Sequence, residues 1–283
     1  MKLLFTFFFA FVTITVFAQK DFQGKAKYMS KTTIDMNNLP GPGGGQIPEA
    51  RKKEIMQRIK SRLEKTFILT FNKTESLYKE DAKLEPPTVS NGRGPRFGGF
   101  SGGGIKYKNT KDKVALESTE FFGKKFLISD KMEQFQWELG SETKQIGNYT
   151  CYKATLVKDV DPLDFSNFRR RNRNNEGKKE DDKKDTTNVV KLTEEIEIPK
   201  QIEITAWYTM QIPVSNGPGE YWGLPGLILE INSGRTTILC TEIIMNPTEK
   251  EVIEMPTKGK KITREKYNKT VKEKMEEMRE RFS

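Results

Sequence analysis

The segment from Ala206 to Ile231 reads AWYTMQIPVSNGPGEYWGLPGLILEI and decides the fold. Leu224-Pro225-Gly226-Leu227 predicts a type II turn, because proline presets φ at its second position and glycine supplies the positive φ at its third. The run from Leu227 to Ile231 then predicts a strand that enters the core. Pro213 and Pro218 cannot donate to a sheet ladder, so they mark a strand end and a bend.

Four aromatic residues flank this bend: Trp207, Tyr208, Tyr221 and Trp222. Aromatic side chains at such a corner form either a rigid plug of the core or a platform for a ligand. A ligand site normally adds convergent titratable or polar groups, which this segment does not display. The plug is the simpler interpretation, and these four residues are the candidate ligand-binding residues.

Working outward, apolar residues alternate with polar ones in short runs, as expected for half-buried strands. Turn residues separate several runs, as in Phe122–Lys125, Gly140-Ser141 and Asn232–Arg235. No long helical pattern separates successive strands, so we expect a mainly β (α+β) fold with a mostly antiparallel meander. The predicted strands are 25–34, 66–78, 105–108, 114–119, 125–129, 135–139, 144–158, 194–212, 227–232 and 236–245.

Two segments, 49–65 and 263–282, have helical periodicity instead. Pro48 precedes the first, and Thr263 is the expected N-cap of the second. A basic amphipathic helix can lie on a membrane surface, but docking on a sheet is the favoured interpretation for both. The apolar stripes are Ile55, Met56, Ile59 and Leu63 in the first, and Tyr267, Val271, Met275, Met278 and Phe282 in the second.

Three stretches have too little apolar surface to offset the entropy of ordering them. Residues 37–48 and 86–104 are rich in glycine and proline, and residues 166–188 are a block of charge. We expect these stretches to be disordered insertions in a single β-rich domain over residues 19–283.

The first 18 residues have the pattern of a signal peptide. Lys2 precedes an apolar run from Leu3 to Phe17, and Val16-Phe17-Ala18 resembles a cleavage site before the polar Gln19. The run is shorter than the roughly 20 residues of a membrane span. We expect an exported protein without a transmembrane span after signal removal, either periplasmic, associated with the outer membrane or secreted.

Composition excludes several classes of site. The 283 residues include no histidine, so a Ser-His-Asp triad and His-ligated zinc are excluded. No cofactor, metal site or catalytic residue is predicted. The net charge of +10 and an Arg-Gly-rich stretch at 93–100 resemble features of nucleic-acid binding. For an exported protein we expect no nucleic-acid partner, and a solvated basic surface is the preferred interpretation.

Export to an oxidising compartment would permit one bridge, between Cys151 and Cys240. Both residues lie in strand-like runs, and a buried free cysteine is the alternative. Compartment alone does not decide between them.

Carboxylate groups are the remaining source of acid–base chemistry. Glu194, Glu195 and Glu197 form one set, and Asp159, Asp161 and Asp164 form another. The glutamates alternate with isoleucines, as on a solvated strand face, and the aspartates lack the glycine and distal glutamate of a calcium loop. Neither set is expected to be a catalytic or calcium site.

The chain resembles the GLPGLI family of exported bacterial proteins. The resemblance rests on the hexapeptide Gly223-Leu224-Pro225-Gly226-Leu227-Ile228, on residues 206–218 ahead of it, and on 137–139 with 144–154. It implies export and a β-rich fold, and it implies no activity because none is established for the family. The insertions at 86–104 and 166–188 depart from the family pattern.

A second resemblance is to periplasmic lipoprotein carriers. They also end a half-barrel sheet with a tryptophan strand, a Gly-Leu-Pro turn and an apolar strand. This analogy suggests a curved, half-barrel-like sheet with the two helices in its mouth, and it carries little weight for function.

Three functions follow as hypotheses. The first is a non-enzymatic envelope protein that binds an apolar, lipid-like ligand or another envelope protein, including an outer-membrane protein. The alternative is a His-independent carboxylate hydrolase of the cell envelope. A third hypothesis gives the charged and Gly-rich insertions a structural or adhesive role.

Overall fold

The computed structural model describes residues 22–33, 48–81, 104–132, 134–160, 169–170, 196–197 and 201–281. The predicted signal peptide and nearly all of the three predicted insertions lie outside these ranges. The strands are β1 (Gln23–Thr32), β2 (Glu64–Asn72), β3 (Glu75–Glu80), β4 (Ile105–Asn109), β5 (Val114–Phe121), β6 (Lys124–Lys131), β7 (Glu138–Ile146), β8 (Tyr149–Asp159), β9 (Arg169–Arg170), β10 (Ile196–Glu197), β11 (Gln201–Thr209), β12 (Leu227–Ser233), β13 (Thr236–Met245) and β14 (Lys260–Ile262). The helices are α1 (Glu49–Leu63) and α2 (Arg264–Arg281).

One large sheet contains twelve of the described strands, and β9 pairs with β10 separately. The order is β14-β6-β5-β4-β3-β2-β1-β13-β12-β11-β8-β7, and every neighbouring pair is antiparallel except β14 with β6. The prediction of a mainly β, mostly antiparallel fold is confirmed. The topology is two meanders joined where β13 pairs with β1, in the middle of the sheet.

Several predicted element bounds are wrong for local reasons. Residues 66–78 form a hairpin, because the Asn72 carboxamide oxygen accepts the backbone N–H groups of Thr74 and Glu75 at 2.9 and 2.7 Å and closes a turn. Residues 144–158 are also two strands, since Gly147 turns the chain with a φ of 57°. Gly140, predicted as a turn residue, lies inside β7 at an irregularity in its pairing with β8.

The core consists mainly of two clusters of buried side chains. The first includes Tyr28, Leu69 and Phe71 from the β1–β2 pair with Leu227 and Leu229 of β12. The second includes Ala154, Ala206, Tyr208, Tyr221, Leu224, Ile228 and Ile231. The apolar strand of the signature segment is therefore buried throughout, as its sequence predicts.

Helix α2 docks on the sheet, as its apolar stripe predicts. Tyr267 and Val271 pack against Phe121, Phe126 and Ile128 of the β5–β6 hairpin. The Thr263 carbonyl accepts the Tyr267 N–H at 2.9 Å and its hydroxyl accepts the Lys266 N–H at 3.4 Å. Thr263 is thus the N-cap of α2.

The segment 246–259 crosses the sheet between β13 and β14. The Glu251 carbonyl accepts the Gln23 side-chain amide at 2.6 Å, and the Glu251 carboxylate accepts the Thr70 hydroxyl at 3.1 Å. Further on, Ile253 packs against a small cluster that includes Tyr107 and Leu127. This crossing carries the chain to β6, where β14 adds in parallel at the sheet edge.

Candidate functional site

The residues between β11 and β12, 210–226, are here called the signature loop. Its backbone is tied to β12, because Ile212 O accepts the Leu227 N–H at 2.9 Å and Asn216 O accepts the Ile228 N–H at 3.0 Å. Val214 and Leu224 bury their side chains in the core. The loop is therefore a fixed part of the fold, and it lies against strands β3 and β4.

Lys108 of β4 binds the signature loop through two hydrogen bonds. Its Nζ donates to the carbonyls of Gly217 and Tyr221 at 2.9 and 2.7 Å, and the residue is only 3% exposed. Burial, together with the nearby charge of Lys106, lowers the pKa of Lys108 to about 7. A neutral amine has two N–H protons, which the two carbonyls accept. Lys108 thus holds the loop in place and is shielded from any substrate in solvent.

A second buried contact lies beside Lys108. Ser76 of β3 is directly opposite Lys108 in the sheet, and its hydroxyl donates to the Asn216 carboxamide oxygen at 2.9 Å. Both Ser76 and Asn216 are fully buried. Three buried hydrogen bonds to β3 and β4 therefore fix the loop.

A row of paired charges continues from Lys108 along the same side of the sheet. Lys106 Nζ lies 2.9 Å from the Glu117 carboxylate, which also pairs with Arg264 of α2. Lys158 Nζ lies 2.8 Å from the carboxylate of Glu220 in the signature loop. These pairs connect β4, β5, β8, α2 and the signature loop.

The pairing keeps both carboxylates ionised. Burial alone would raise the pKa of Glu117, but Lys106 and Arg264 hold it at about 2. Burial also acts to raise the pKa of Glu220, and Lys158 and Lys106 outweigh it, so this pKa is lowered too. Neither carboxyl group retains a proton at neutral pH, so neither can act there as a general acid.

An aromatic group packs beside the signature loop. The rings of Phe135, Trp137 and Tyr221 have centroid separations of 6.0, 6.2 and 6.5 Å. Trp137 donates its indole N–H to the Trp222 carbonyl at 2.8 Å, and Lys158 Nζ lies 5.6 Å from the Phe135 ring centroid. Phe135 and Trp137 are only half-buried, whereas Tyr221 is buried, so Phe135 and Trp137 are the solvent-facing members of this aromatic group.

The four aromatic residues predicted as one site are divided by the structure. Tyr208 and Tyr221 share the second core cluster, whereas Trp207 packs against the first. Lys144 Nζ lies 4.6 Å from the Trp207 ring centroid and pairs with Glu230 at 2.6 Å. Phe135, Trp137 and Lys108 are not among the predicted site residues, since all three fall in predicted strands, 135–139 and 105–108.

The predicted type II turn at Leu224-Pro225-Gly226-Leu227 is wrong, because Gly226 lacks the positive φ that this turn requires at its third position. Positive φ occurs at Gly223, with a value of 98°, and not at Gly226. A Cβ on Gly226 would lie 2.0 Å from the Thr209 carbonyl oxygen. Glycine is needed at 226 because the end of β11 approaches it closely, and at 223 because of its φ.

Cys151 and Cys240 are both buried and are free thiols in the structure. Their Sγ atoms lie 3.7 and 3.5 Å from the carbonyl oxygens of Tyr149 and Glu242. Burial raises the pKa of Cys151 to about 11 and that of Cys240 to about 12. Thiolates are therefore scarce at neutral pH, and neither residue has the character of a nucleophile.

We expect both thiols to resist iodoacetamide in the folded protein at about pH 8 and to react once it is denatured without reductant. Intact-mass measurement checks this, with two adducts expected after denaturation. A protein that gains adducts only after reduction has the Cys151–Cys240 bridge instead.

Most of the carboxylates singled out in the sequence lie outside the described residues, namely Glu194, Glu195, Asp161 and Asp164. Asp159 ends β8 and accepts the Gln201 side-chain amide at 3.2 Å. Within the described ranges, no three Cys, Asp or Glu side chains are grouped so that they could hold a metal ion. Neither described helix combines the length and apolarity that a membrane crossing requires.

Comparison with known proteins gives a limited result. No curated protein matches the chain. Two solved structures, titled "Structure of PNGF-II in C2 space group" and "Structure of PNGF-II in P21 space group", are 12% and 13% identical to it, each with a TM-score of 0.46. Each comparison covers 88% of this chain and 32% of the other, so the chain spans about a third of the length of those proteins. Residues 137–230 match a family described as "Protein of unknown function (Porph_ging)". The matched range contains Trp137 and the whole signature loop but not Phe135.

Proposed function

We propose that this is an exported, non-enzymatic binding or accessory protein of the cell envelope, and that the aromatic group beside the signature loop contacts an apolar ligand. The observation that carries the proposal is a contrast within the site. The titratable groups are engaged in internal contacts, whereas Phe135 and Trp137 are half-buried. Such a surface binds by apolar contact and ring stacking.

A curved, half-barrel-like sheet is part of this proposal. Strands β6 and β7 stand ten positions apart in the sheet order, which in a flat sheet would be about 48 Å. The chain from Lys131 to Glu138 reaches at most about 25 Å. We infer that the sheet curls so that this link can be made. Phe135 and Trp137 lie on the link, so in a curled sheet the aromatic group would lie where β6 and β7 approach each other.

The alternative function, a carboxylate hydrolase, requires a group that can act as a general acid. A carboxylate hydrolase needs one carboxyl group that keeps its proton near neutral pH. Glu117 and Glu220 are the two carboxylates of the charge row beside the signature loop, and the pKa of each is lowered. Glu220 fixes the loop to β8 through Lys158, and Glu117 connects β4 and β5 to α2, so both have the structural role expected in a binding protein.

Ligand binding can be followed by intrinsic fluorescence, because two of the three tryptophans, Trp137 and Trp222, lie at the aromatic group. The apolar dye N-phenyl-1-naphthylamine and oleate serve as probes. We expect saturable quenching by both, and roughly tenfold weaker binding by Phe135→Ala, which removes about half of an exposed aromatic contact.

The matched control is Trp207→Phe, because Trp207 packs in the other core cluster and is not part of the aromatic group. We expect it to bind both probes as the unmodified protein does. Unsaturable quenching, or equal loss in the two variants, would contradict the proposed site. A pull-down that retains an envelope protein through Phe135 would identify the alternative ligand, a protein partner.

A further inference from the structure

The β5–β6 hairpin ends in a turn whose sequence conflicts with its geometry. Phe121 pairs with Lys124, so Phe122 and Gly123 alone form the turn. Their φ angles are 49° and 73°, the pattern of a type I′ turn. Asn-Gly is the preferred pair there, and a bulky aromatic at positive φ is strained. The chain thus keeps a phenylalanine where the backbone disfavours it.

The Phe122 side chain points outward from this turn. It is 61% exposed, and its ring meets that of Phe121 edge to face, with centroids 4.6 Å apart. Phe121 is itself buried and packs against Tyr267 of α2. The exposed ring therefore stands on a firmly anchored hairpin.

Lysines flank this turn along the chain and on the neighbouring strand β14. Gly259 packs against the backbone from Lys125 to Leu127, so the chain on either side of Gly259 lies next to the end of the β5–β6 hairpin. Glu120, the cross-strand partner of Lys125, is the acidic residue of the hairpin end. Five lysines of this region are exposed, and none forms an ion pair within the part of the chain that the structure describes: Lys124, Lys125, Lys258, Lys260 and Lys261.

We propose that this tip, Phe122 with the five lysines, docks the protein on an anionic lipid surface. A projecting aromatic ring partitions into the boundary between headgroups and acyl chains, and lysines around it attract lipid phosphates. A purely polyanionic partner would explain the lysines but not the exposed ring. The combination fits a surface that is both negatively charged and penetrable.

Vesicle co-sedimentation tests the proposal with the full protein. The probes are vesicles of phosphatidylcholine alone and of phosphatidylcholine with about 30% phosphatidylglycerol. We expect binding to the anionic vesicles that weakens as salt is raised. Lys124→Gln with Lys125→Gln should weaken it by about 30-fold, given the usual contribution of a lysine near such a surface.

The variant Phe122→Asn distinguishes a loss of vesicle binding from a loss of folding stability. Asparagine suits the turn better than phenylalanine, so this variant should be at least as stable, yet bind anionic vesicles about tenfold more weakly. The matched charge control is Lys111→Gln with Lys113→Gln, which removes two exposed lysines from the turn at the other end of β5. It should retain nearly full binding.

Three outcomes would overturn the assignment. They are equal binding to both vesicle types, undiminished binding by Phe122→Asn, and equal losses in the two double-lysine variants. Retention on heparin with no retention on vesicles would show that the lysines serve a soluble polyanion instead. Since the tip shares no residue with the aromatic group, either proposal can fail without the other.

Discussion

Replacing Gly226 with alanine should destabilise the protein by about 3–5 kcal/mol, more than any exposed substitution in the signature loop. The added Cβ would lie 2.0 Å from the Thr209 carbonyl oxygen and 2.6 Å from its carbonyl carbon. Both are backbone atoms at the end of β11, so no side-chain rotation relieves the clash. The signature loop or the β11–β12 pairing must move. Urea denaturation followed by tryptophan fluorescence measures the loss.

Gly219→Ala is the matched control in the same loop. Gly219 has a φ of 59°, but a Cβ there has no heavy atom within 4 Å. The change should cost only about 1 kcal/mol, the usual penalty for a side chain at positive φ. Equal losses at the two positions would show that the approach of Thr209 to Gly226 does not govern the turn.

The contrast between these glycines shows what the sequence could predict. Leu224-Pro225-Gly226-Leu227 correctly indicated the start of a buried strand, because an apolar run acts locally, but the type II turn that its proline and glycine indicated does not form. It could not indicate that β11 passes against Gly226, because that contact depends on pairing between strands. Likewise, alternation predicted the strands, but the central pairing of β1 with β13 and the short parallel strand β14 have no local signal.

The candidate site was harder to predict than the strands. Lys106-Tyr107-Lys108 alternates like a strand with one solvated face, yet that face lies beneath the signature loop and Lys108 is buried. The two carbonyls that accept its protons belong to residues more than a hundred positions away. Phe135 and Trp137 resembled strand residues because aromatic side chains are common in strands, although they lie on the link between β6 and β7.

Replacing Lys108 with methionine should destabilise the protein by about 3 kcal/mol at pH values above neutrality. Methionine fills a similar volume but donates no hydrogen bond, so the buried carbonyls of Gly217 and Tyr221 lose their contacts with Nζ. The signature loop should loosen while the sheet remains folded. Chemical denaturation at about pH 9 measures the loss, and Lys111→Met at an exposed turn should change stability by less than about 0.5 kcal/mol.

The same variant should also change how stability depends on pH. The pKa of Lys108 is about 7 in the folded protein, against an ordinary value of 10.5 that applies to the unfolded chain. Between pH 7 and pH 10.5 the Lys108 amine is therefore protonated in the unfolded chain and largely neutral in the folded protein. Stability therefore rises with pH across this window, by up to about 1.4 kcal/mol per pH unit from this group, and is independent of it below about pH 7. Lys108→Met lacks this contribution. The stability difference between the two proteins should thus be about 2.5 kcal/mol larger near pH 9 than near pH 6.5. A difference that stays constant with pH would mean that Lys108 remains charged beneath the loop, held by its two carbonyls as an ammonium group.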